Sequence, residues 1–131
     1  MGMKTAQTGS DLSFSLWDSE EALQRLGGNR SLLVTIANMF LAQIEPKRTA
    51  LTTAVSQKDV ESIRFTSHTI KGAAGDIGAT ALHRVAAKIE QLAKASELDS
   101  IDEQLAIFDK TVTATVETIE QELPKLAPTS A

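Results

Sequence analysis

The stretch DVESIRFTSHTIKGAAGDIG, residues 59–78, carries the clearest helical pattern in the chain. Its apolar and small residues recur at alternating spacings of three and four, as one face of an α-helix requires. They are Val60, Ile63, Ser67, Ile70, Ala74 and Ile77. Asp59 can cap the start of this helix, and the segment from Gly75 to Gly78 predicts a loop at its end. The pattern therefore predicts a central helix with one buried and one exposed face.

Two further helices are predicted upstream of the central helix. Asp18–Glu21 offers an N-cap followed by a carboxylate, and Gly27–Gly28 should end the short helix that begins there. Asn29 can cap a long helix, which Pro46 should kink or break. The buried side of this long helix is predicted to consist of Leu33, Ile36, Phe40, Leu51 and Val55.

Two more amphipathic helices are predicted downstream. Thr80 can cap the first of them, and the last helix should begin near Asp99 or Ser100 and end at Pro124. Their buried stripes are Leu82, Val85, Ile89 and Leu92, and then Ile101, Leu105, Phe108, Val112, Val116, Ile119 and Leu123.

Four long amphipathic helices with short connections, and no strand-like alternation, predict an all-α protein. We expect an antiparallel up-down-up-down four-helix bundle with a short N-terminal helix packed over one end. Residues 15–124 should form the bundle, between a flexible N-terminal tail of residues 1–14 and a C-terminal tail of residues 125–131. Since such bundles serve many functions, the function has to be inferred from particular side chains.

The composition of the 131 residues narrows the possible functions. A net charge of -4 disfavours binding along a nucleic-acid backbone, so nucleic acid is not an expected partner. The chain has no cysteine, which excludes disulfides and thiolate metal sites. Its apolar runs fall short of the roughly 18 residues that a membrane span needs, and its polar start is unlike a signal peptide. We therefore expect a cytoplasmic monomer that does not insert into membranes.

Residues 67–79 contain an unusual combination of side chains. Gly72 lies inside the predicted helix, where glycine costs about 1 kcal/mol relative to alanine. A helical side chain leans toward the helix N-terminus, so a side chain at position 72 would cover His68. Because Ser67 and Ile70 lie on the buried face, His68 should fall beside that face and meet solvent. Glycine at position 72 would therefore leave the imidazole accessible to a partner.

Two charged residues are placed to assist His68 as a nucleophile. Lys71 follows three positions later on the same side, where its ammonium could neutralise part of the roughly -2 charge of a phosphoryl group. An imidazole that attacks phosphorus through Nε2 needs an acceptor for its Nδ1–H. Glu90 is the candidate acceptor, because the next antiparallel helix should return alongside the central helix.

With these residues in place, the chain resembles the histidine-containing phosphotransfer (HPt) domain family. The family signature is a histidine with lysine at +3 and glycine at +4, which His68, Lys71 and Gly72 match. The segments 17–28, 40–55 and 88–90 are also similar to the family, so that the resemblance extends over nearly all of residues 15–122.

The resemblance implies that His68 is phosphorylated and exchanges its phosphoryl group with aspartates of response-regulator receiver domains. It also implies that Glu90, 22 residues after the histidine, bonds Nδ1, and that Lys94 helps to bind phosphate or the partner. The receiver would supply Mg2+, and the chain itself would need no cofactor. The chain would be a phosphoryl carrier rather than an independent enzyme, acting either as a free shuttle or as part of a hybrid sensor kinase.

A partner domain should dock on a surface around His68 that combines apolar area with positive charge. The predicted surface comprises Arg64, Phe65, Gly75, Ile77, Ala79, Lys88 and Lys94, together with Lys71. Association through these charges should weaken as salt is added.

Other interpretations of the same residues compete with phosphotransfer. The main alternative is a helical adaptor that binds a receiver or another signalling domain without transferring phosphate. Gly72 could instead allow close helix packing, and Glu90 could be an exposed surface acid. His83 and Arg84 are interpreted as surface residues.

Two classes of catalytic site are disfavoured by spacing. His68 and His83 lie 15 positions apart without the paired ligands of a metal site. Ser67 and His68 are adjacent on a helix and point about 100° apart, so they cannot form a nucleophile-base pair.

Overall fold

A computed structural model describes residues 15–126 of the chain. The helices are α1 (Ser19–Arg25), α2 (Arg30–Ser56), α3 (Val60–Ile77), α4 (Thr80–Lys94) and α5 (Ile101–Leu126), with a 3₁₀ helix over Leu98–Ser100. The tail predicted for residues 1–14 and most of the one predicted for residues 125–131 lie outside the described residues.

Helices α2 to α5 form an antiparallel bundle in which consecutive helices pack together and α5 closes against α2. The short helix α1 packs on α2 and α3, at one end of the bundle. The predicted fold class is therefore confirmed. No helix within residues 15–126 is long and apolar enough to cross a membrane.

The core is mostly aliphatic, as the amphipathic stripes predict. Its largest fully buried apolar side chains are Phe108, Leu33, Ile44, Leu51, Ile63, Ile70, Leu82, Ile89, Ile101, Ile119 and Val112. Several predicted stripe residues are only partly buried and pack at the edge of this core; they are Ile36, Val60, Leu105, Val116 and Leu123. The central prediction of one buried face on α3 holds from Ile63 onward, because Ile63, Ser67, Ile70, Ala74 and Ile77 are all buried.

The two prolines in the helical region do not end their helices. Helix α2 continues through Pro46, so the break predicted there does not occur. Ile44 and Leu51, on either side of Pro46, are both buried in the core, and this packing holds the helix together across the proline. Helix α5 likewise extends past Pro124 to Leu126, whose side chain packs against the core.

The turn between α3 and α4 is tighter than the sequence predicts. Helix α3 runs to Ile77, so Gly75 is helical and only Gly78 adopts a left-handed conformation, with φ of 82°. Ala79 donates its N–H to the carbonyl of Ala74 at 2.8 Å, which satisfies the end of the helix. Thr80 is the first residue of α4 rather than its cap, a position that belongs to Ala79.

The segment before α2, which comprises Trp17, Asp18 and α1, is bound to the C-terminal end of α3. The indole Nε1–H of Trp17 donates to the carbonyl of Ile77 at 2.7 Å, and the N–H of Asp18 donates to Gly78 at 2.7 Å. A Cβ on Gly78 would lie 2.5 Å from the carbonyl oxygen of Asp18, so the approach requires glycine. This segment fixes the end of the helix that carries His68.

Candidate functional site

His68 lies on α3 beside the buried face, and its side chain is 65% exposed. The neighbouring Ser67 and Ile70 are fully buried, and the hydroxyl of Ser67 donates to the carbonyl of Ile63 at 2.6 Å. The buried stripe thus sets the rotation of α3 about its own axis. The predicted placement of His68 on the flank of that stripe is what the structure shows.

Glu90 on α4 is the charged residue at the centre of the site. Its carboxylate is buried, and Oε2 lies 3.0 Å from His68 Nδ1 and 3.4 Å from Lys94 Nζ. Its other oxygen, Oε1, lies 2.8 Å from Lys71 Nζ. The alternative that Glu90 is an exposed surface acid is therefore wrong.

Three nitrogen-bearing partners keep Glu90 ionised in spite of its burial. Burial raises the pKa of the Glu90 carboxyl, but hydrogen bonds from Lys71 and His68 lower it, as do the positive charges of Lys71 and Lys94. The lowering effects outweigh burial, so the pKa of Glu90 falls from 4.5 to about 2.

An ionised Glu90 determines which nitrogen of His68 carries the proton in the neutral ring. A carboxylate can only accept, so Nδ1 must be the donor in the 3.0 Å contact. Nε2 then keeps its lone pair, on a ring that is largely exposed. The site presents a nucleophilic nitrogen to an approaching molecule.

Lys71 and Gly72 lie one turn beyond His68. The Lys71 side chain is 29% exposed and its ammonium is paired with Glu90. A Cβ on Gly72 would meet no atom within 4 Å, which rules out the alternative that this glycine permits close helix packing. The packing of the chain does not require glycine at position 72, and its absent side chain leaves the surface beside His68 open.

The predicted partner-binding residues divide into two groups. Arg64, Phe65, Lys88 and Lys94 are exposed, and Phe65 is the most exposed large apolar side chain among the described residues, at 73%. Ile77 and Ala79 are buried, so their prediction as part of the docking surface is wrong, while the prediction of Ile77 on the buried face of α3 holds. Both pack into the core at the turn between α3 and α4, because α3 continues one turn further than predicted.

His83 and Gly75 form a contact that the sequence interpretation missed. His83 was predicted to be a surface residue, but its ring is half-buried and its Nδ1 lies 3.1 Å from the carbonyl oxygen of Lys71. Gly75 is half-buried beneath the same ring instead of facing a partner. The available signal was spacing, since His83 precedes Glu90 by seven residues, or two helical turns.

Within residues 15–126, no group of three or more acidic or histidine side chains could hold a metal ion. Lys88 is exposed, but it precedes Glu90 by two residues and so lies on the opposite side of α4 from the site. The cationic side chains beside His68 are Lys71 and Lys94, with Arg64 one turn before it on the exposed surface of α3. Such surroundings suit an anionic group.

The antiparallel helical bundle carries an exposed histidine with a buried carboxylate on Nδ1 and two lysines beside it, an arrangement that fits a phosphotransfer domain. The model of the Hpt domain family matches residues 35–126, and the chain belongs to that family. Its function is phosphotransfer in a phosphorelay. No curated protein matches the sequence.

Two solved structures share the fold. The histidine-containing phosphotransfer protein B (HptB) from Pseudomonas aeruginosa superposes with a TM-score of 0.77 and 18% identity, over 84% of this chain and 96% of that one. The HPT domain of a sensor hybrid histidine kinase from Shewanella gives a TM-score of 0.78 and 18% identity, over 86% of this chain and 97% of that one. At this identity the likeness concerns the bundle architecture.

Proposed function

We propose that His68 accepts a phosphoryl group from an aspartyl phosphate of a receiver domain and donates it to an aspartate of another. The observation that carries this proposal is the 3.0 Å contact between His68 Nδ1 and the buried carboxylate of Glu90. It orients an otherwise exposed imidazole and leaves Nε2 as the nucleophile. Receiver domains are the proposed partners, free or within a hybrid sensor kinase.

The proposed transfer involves only His68 and the aspartyl phosphate of the receiver as reacting groups. The Nε2 lone pair forms a bond to phosphorus as the bond between phosphorus and the aspartate oxygen breaks, and the aspartate leaves as a carboxylate. The ring keeps its Nδ1–H and becomes positively charged. Glu90 accepts the hydrogen bond from Nδ1–H and neutralises the new charge. The reverse sequence returns the phosphoryl group.

Positive charge near His68 would stabilise the transferred group. Lys71 is one turn away, and rotation of its flexible side chain can bring Nζ from Glu90 to a phosphoryl oxygen. Lys94 lies on the other oxygen of Glu90 and is 55% exposed. Mg2+ is proposed to belong to the receiver, whose acidic site would complete the arrangement. The chain contributes the nucleophile and part of the charge.

The proposed docking surface is the exposed part of α3 and α4 around His68. Phe65 supplies apolar area three residues before His68, and Arg64, one turn before His68, supplies positive charge. The ion pair of Arg64 with Glu61, at 2.7 Å, is exposed and can exchange for a partner's carboxylate.

The test is transfer of labelled phosphate from receiver domains charged with acetyl phosphate and Mg2+. Wild type and His68→Gln are incubated with a panel of charged receivers, and protein-bound label is assayed for acid lability and stability to base. We expect label of this kind on wild type only. Equal labelling of both proteins, or none from any receiver, would overturn the proposal.

Binding of the same receivers to His68→Gln distinguishes the adaptor from the carrier. If receivers bind both proteins but never label wild type, the chain is an adaptor. Label on wild type, with binding retained by His68→Gln, supports a carrier whose docking surface is separate from its nucleophile.

A further inference from the structure

Lys71 is held by α4 at both its backbone and its side chain. Its ammonium lies 2.8 Å from Glu90 Oε1, and its carbonyl oxygen lies 3.1 Å from His83 Nδ1. A carbonyl oxygen only accepts, so His83 Nδ1 carries the hydrogen in this bond. Two residues of α4 thus bind one residue of α3, from positions two turns apart.

Gly75 provides the space for the His83 ring. A Cβ at position 75 would lie 3.3 Å from Nδ1 and 3.6 Å from Cε1 of that ring, which is tighter than an ordinary contact. The carbonyl of Gly75 also accepts a 2.8 Å hydrogen bond from Arg25 on α1. The turn of α3 from Lys71 to Gly75 is therefore bound from two sides.

The two contacts of α4 with α3 share one register. Gly75 follows His68 by seven residues on α3, and His83 precedes Glu90 by seven on α4. In two antiparallel helices, the alignment that places His83 over Gly75 also places Glu90 opposite His68. An axial slip of α4 would move both pairs together.

We infer that His83 is a positioning residue for the phosphotransfer site. Through its hydrogen bond to the Lys71 carbonyl and its seat on Gly75, it fixes α4 in the register that brings Glu90 to His68 and Lys71. The inference rests on the proposed function for its effect on transfer, but its effect on the His68 ring can be measured without phosphate. His83 does not touch the reacting atoms.

The variants separate the hydrogen bond from the bulk of the ring. His83→Leu keeps a side chain of similar size and removes the donor, whereas His83→Asn keeps an N–H at a similar distance from the backbone. Gly75→Ala keeps the histidine at position 83 but adds a methyl group that crowds its ring. Because alanine has a higher helix propensity than glycine, this variant should not weaken α3 itself. Val112→Ala on α5, a helix that contributes no residue to these contacts, opens a cavity in the core and serves as the control for general destabilisation.

The readouts are the ¹⁵N chemical shifts of the His68 ring, which report its tautomer, and the rate of transfer from a charged receiver. For His83→Leu and Gly75→Ala, we expect a smaller fraction of the Nδ1–H tautomer at His68 and transfer slowed about fivefold or more. His83→Asn should restore both to within about twofold of wild type, and Val112→Ala should leave both unchanged.

Wild-type shifts and rates in both His83→Leu and Gly75→Ala would overturn the inference. So would a Val112→Ala protein with the same changes, because these would then follow from lost stability alone. If His83→Leu does not fold, Gly75→Ala and His83→Asn decide the question. Failure of wild type to accept phosphate would count against the proposed function, while the ¹⁵N comparison would still test the role of His83.

Discussion

At the scale of single residues, the carboxylate of Glu90 connects the other side chains of the site. It accepts from His68 and Lys94 on one oxygen and from Lys71 on the other, while its own side chain is 6% exposed. A buried charge of this kind is stable only while its partners remain in place. The two lysines differ in burial and distance, which predicts different roles.

Lys71→Met should impair phosphotransfer more than Lys94→Met. Lys71 is the closer and more buried partner and lies on the same helix as His68, so we expect its loss to slow transfer by about tenfold or more. Lys94 is 55% exposed and 3.4 Å from Glu90, and its loss should change the rate by no more than about threefold. Single-turnover transfer from a charged receiver measures both, and equal rates for the two variants would contradict this assignment.

Glu90 should remain ionised far into the acid range. Its pKa in the folded state is lowered from 4.5 to about 2, so the unfolded chain binds its proton first as the pH falls. The stability that Glu90 contributes is present above pH 4.5 and is lost as the pH falls toward 2. Carboxyl ¹³C shifts of Glu90 should not titrate near pH 4.5.

Glu90→Gln is the matched control for this titration. The difference in free energy of unfolding between wild type and Glu90→Gln should shrink as the pH falls from 5 to 2, because the ionised carboxylate is absent from the variant. A difference that stays constant over this range would show that the pKa of Glu90 is the same in the folded and unfolded states, and that its partners do not lower it.

At the scale of helices, packing overrides local signals that predict an interruption. Pro46 and Pro124 both lie inside helices whose apolar residues continue into the core. A proline in a helix lacks one N–H and crowds the preceding turn, so each of these helices forms at a local cost.

Pro46→Ala should stabilise the protein by about 1–3 kcal/mol, because it restores one hydrogen bond and relieves the clash in the middle of α2. Pro124→Ala should have a smaller effect, since the last turn of a helix frays easily and limits the cost of proline there. Urea unfolding followed by circular dichroism measures both. A loss of stability in Pro46→Ala would show that the proline is needed for the shape of α2.

The turn between α3 and α4 depends on a glycine in close contact with another segment. Gly78→Ala combines a left-handed φ of 82° with a Cβ only 2.5 Å from the Asp18 carbonyl oxygen. Gly27→Ala has a similar φ of 68° but meets no atom within 4 Å.

We expect Gly27→Ala to cost about 1 kcal/mol of stability and Gly78→Ala about 3 kcal/mol, because only the second displaces a neighbouring backbone. Chemical denaturation of both variants gives the comparison. Equal losses would mean that the segment around Asp18 moves aside at no cost.

At the scale of the whole molecule, the segment before α2 belongs to the bundle. Trp17 is 8% exposed and bonds the carbonyl of Ile77, and Arg25 bonds that of Gly75. Two of the carbonyl groups at the end of α3 thus accept hydrogen bonds from a part of the chain distant in sequence. We therefore expect this segment to detach and α3 to unfold in the same transition.

Trp17 is the only tryptophan, so its fluorescence reports directly on this packing. We expect unfolding by urea, followed by fluorescence and by circular dichroism at a helical wavelength, to give coincident transitions. An earlier fluorescence transition would show that the segment detaches before the bundle unfolds. Trp17→Phe, which loses the hydrogen bond but keeps most of the apolar area, should lower stability by about 1 kcal/mol.

The helices and the candidate nucleophile could be predicted from the sequence because both depend on local spacing. A period of 3.6 residues requires only the order of apolar side chains, and it predicts the buried face of α3 and the exposed flank on which His68 lies. The spacing of His68, Lys71 and Gly72 is equally local. Where a helix continues or ends is harder to predict from local sequence. Pro46 and Pro124 both lie inside helices whose apolar residues pack into the core.

The sequence by itself determined the helical class, the amphipathic faces and the grouping of His68 with Lys71 and Gly72. Only the tertiary structure decided that Glu90 is buried against His68 and two lysines, that Ala79 belongs to the core, and that His83 binds α3 rather than solvent. The physical reason is that helical periodicity gives the angular position of a side chain about the axis of its own helix, and nothing more. The distance and register between two axes arise from the packing of the whole bundle.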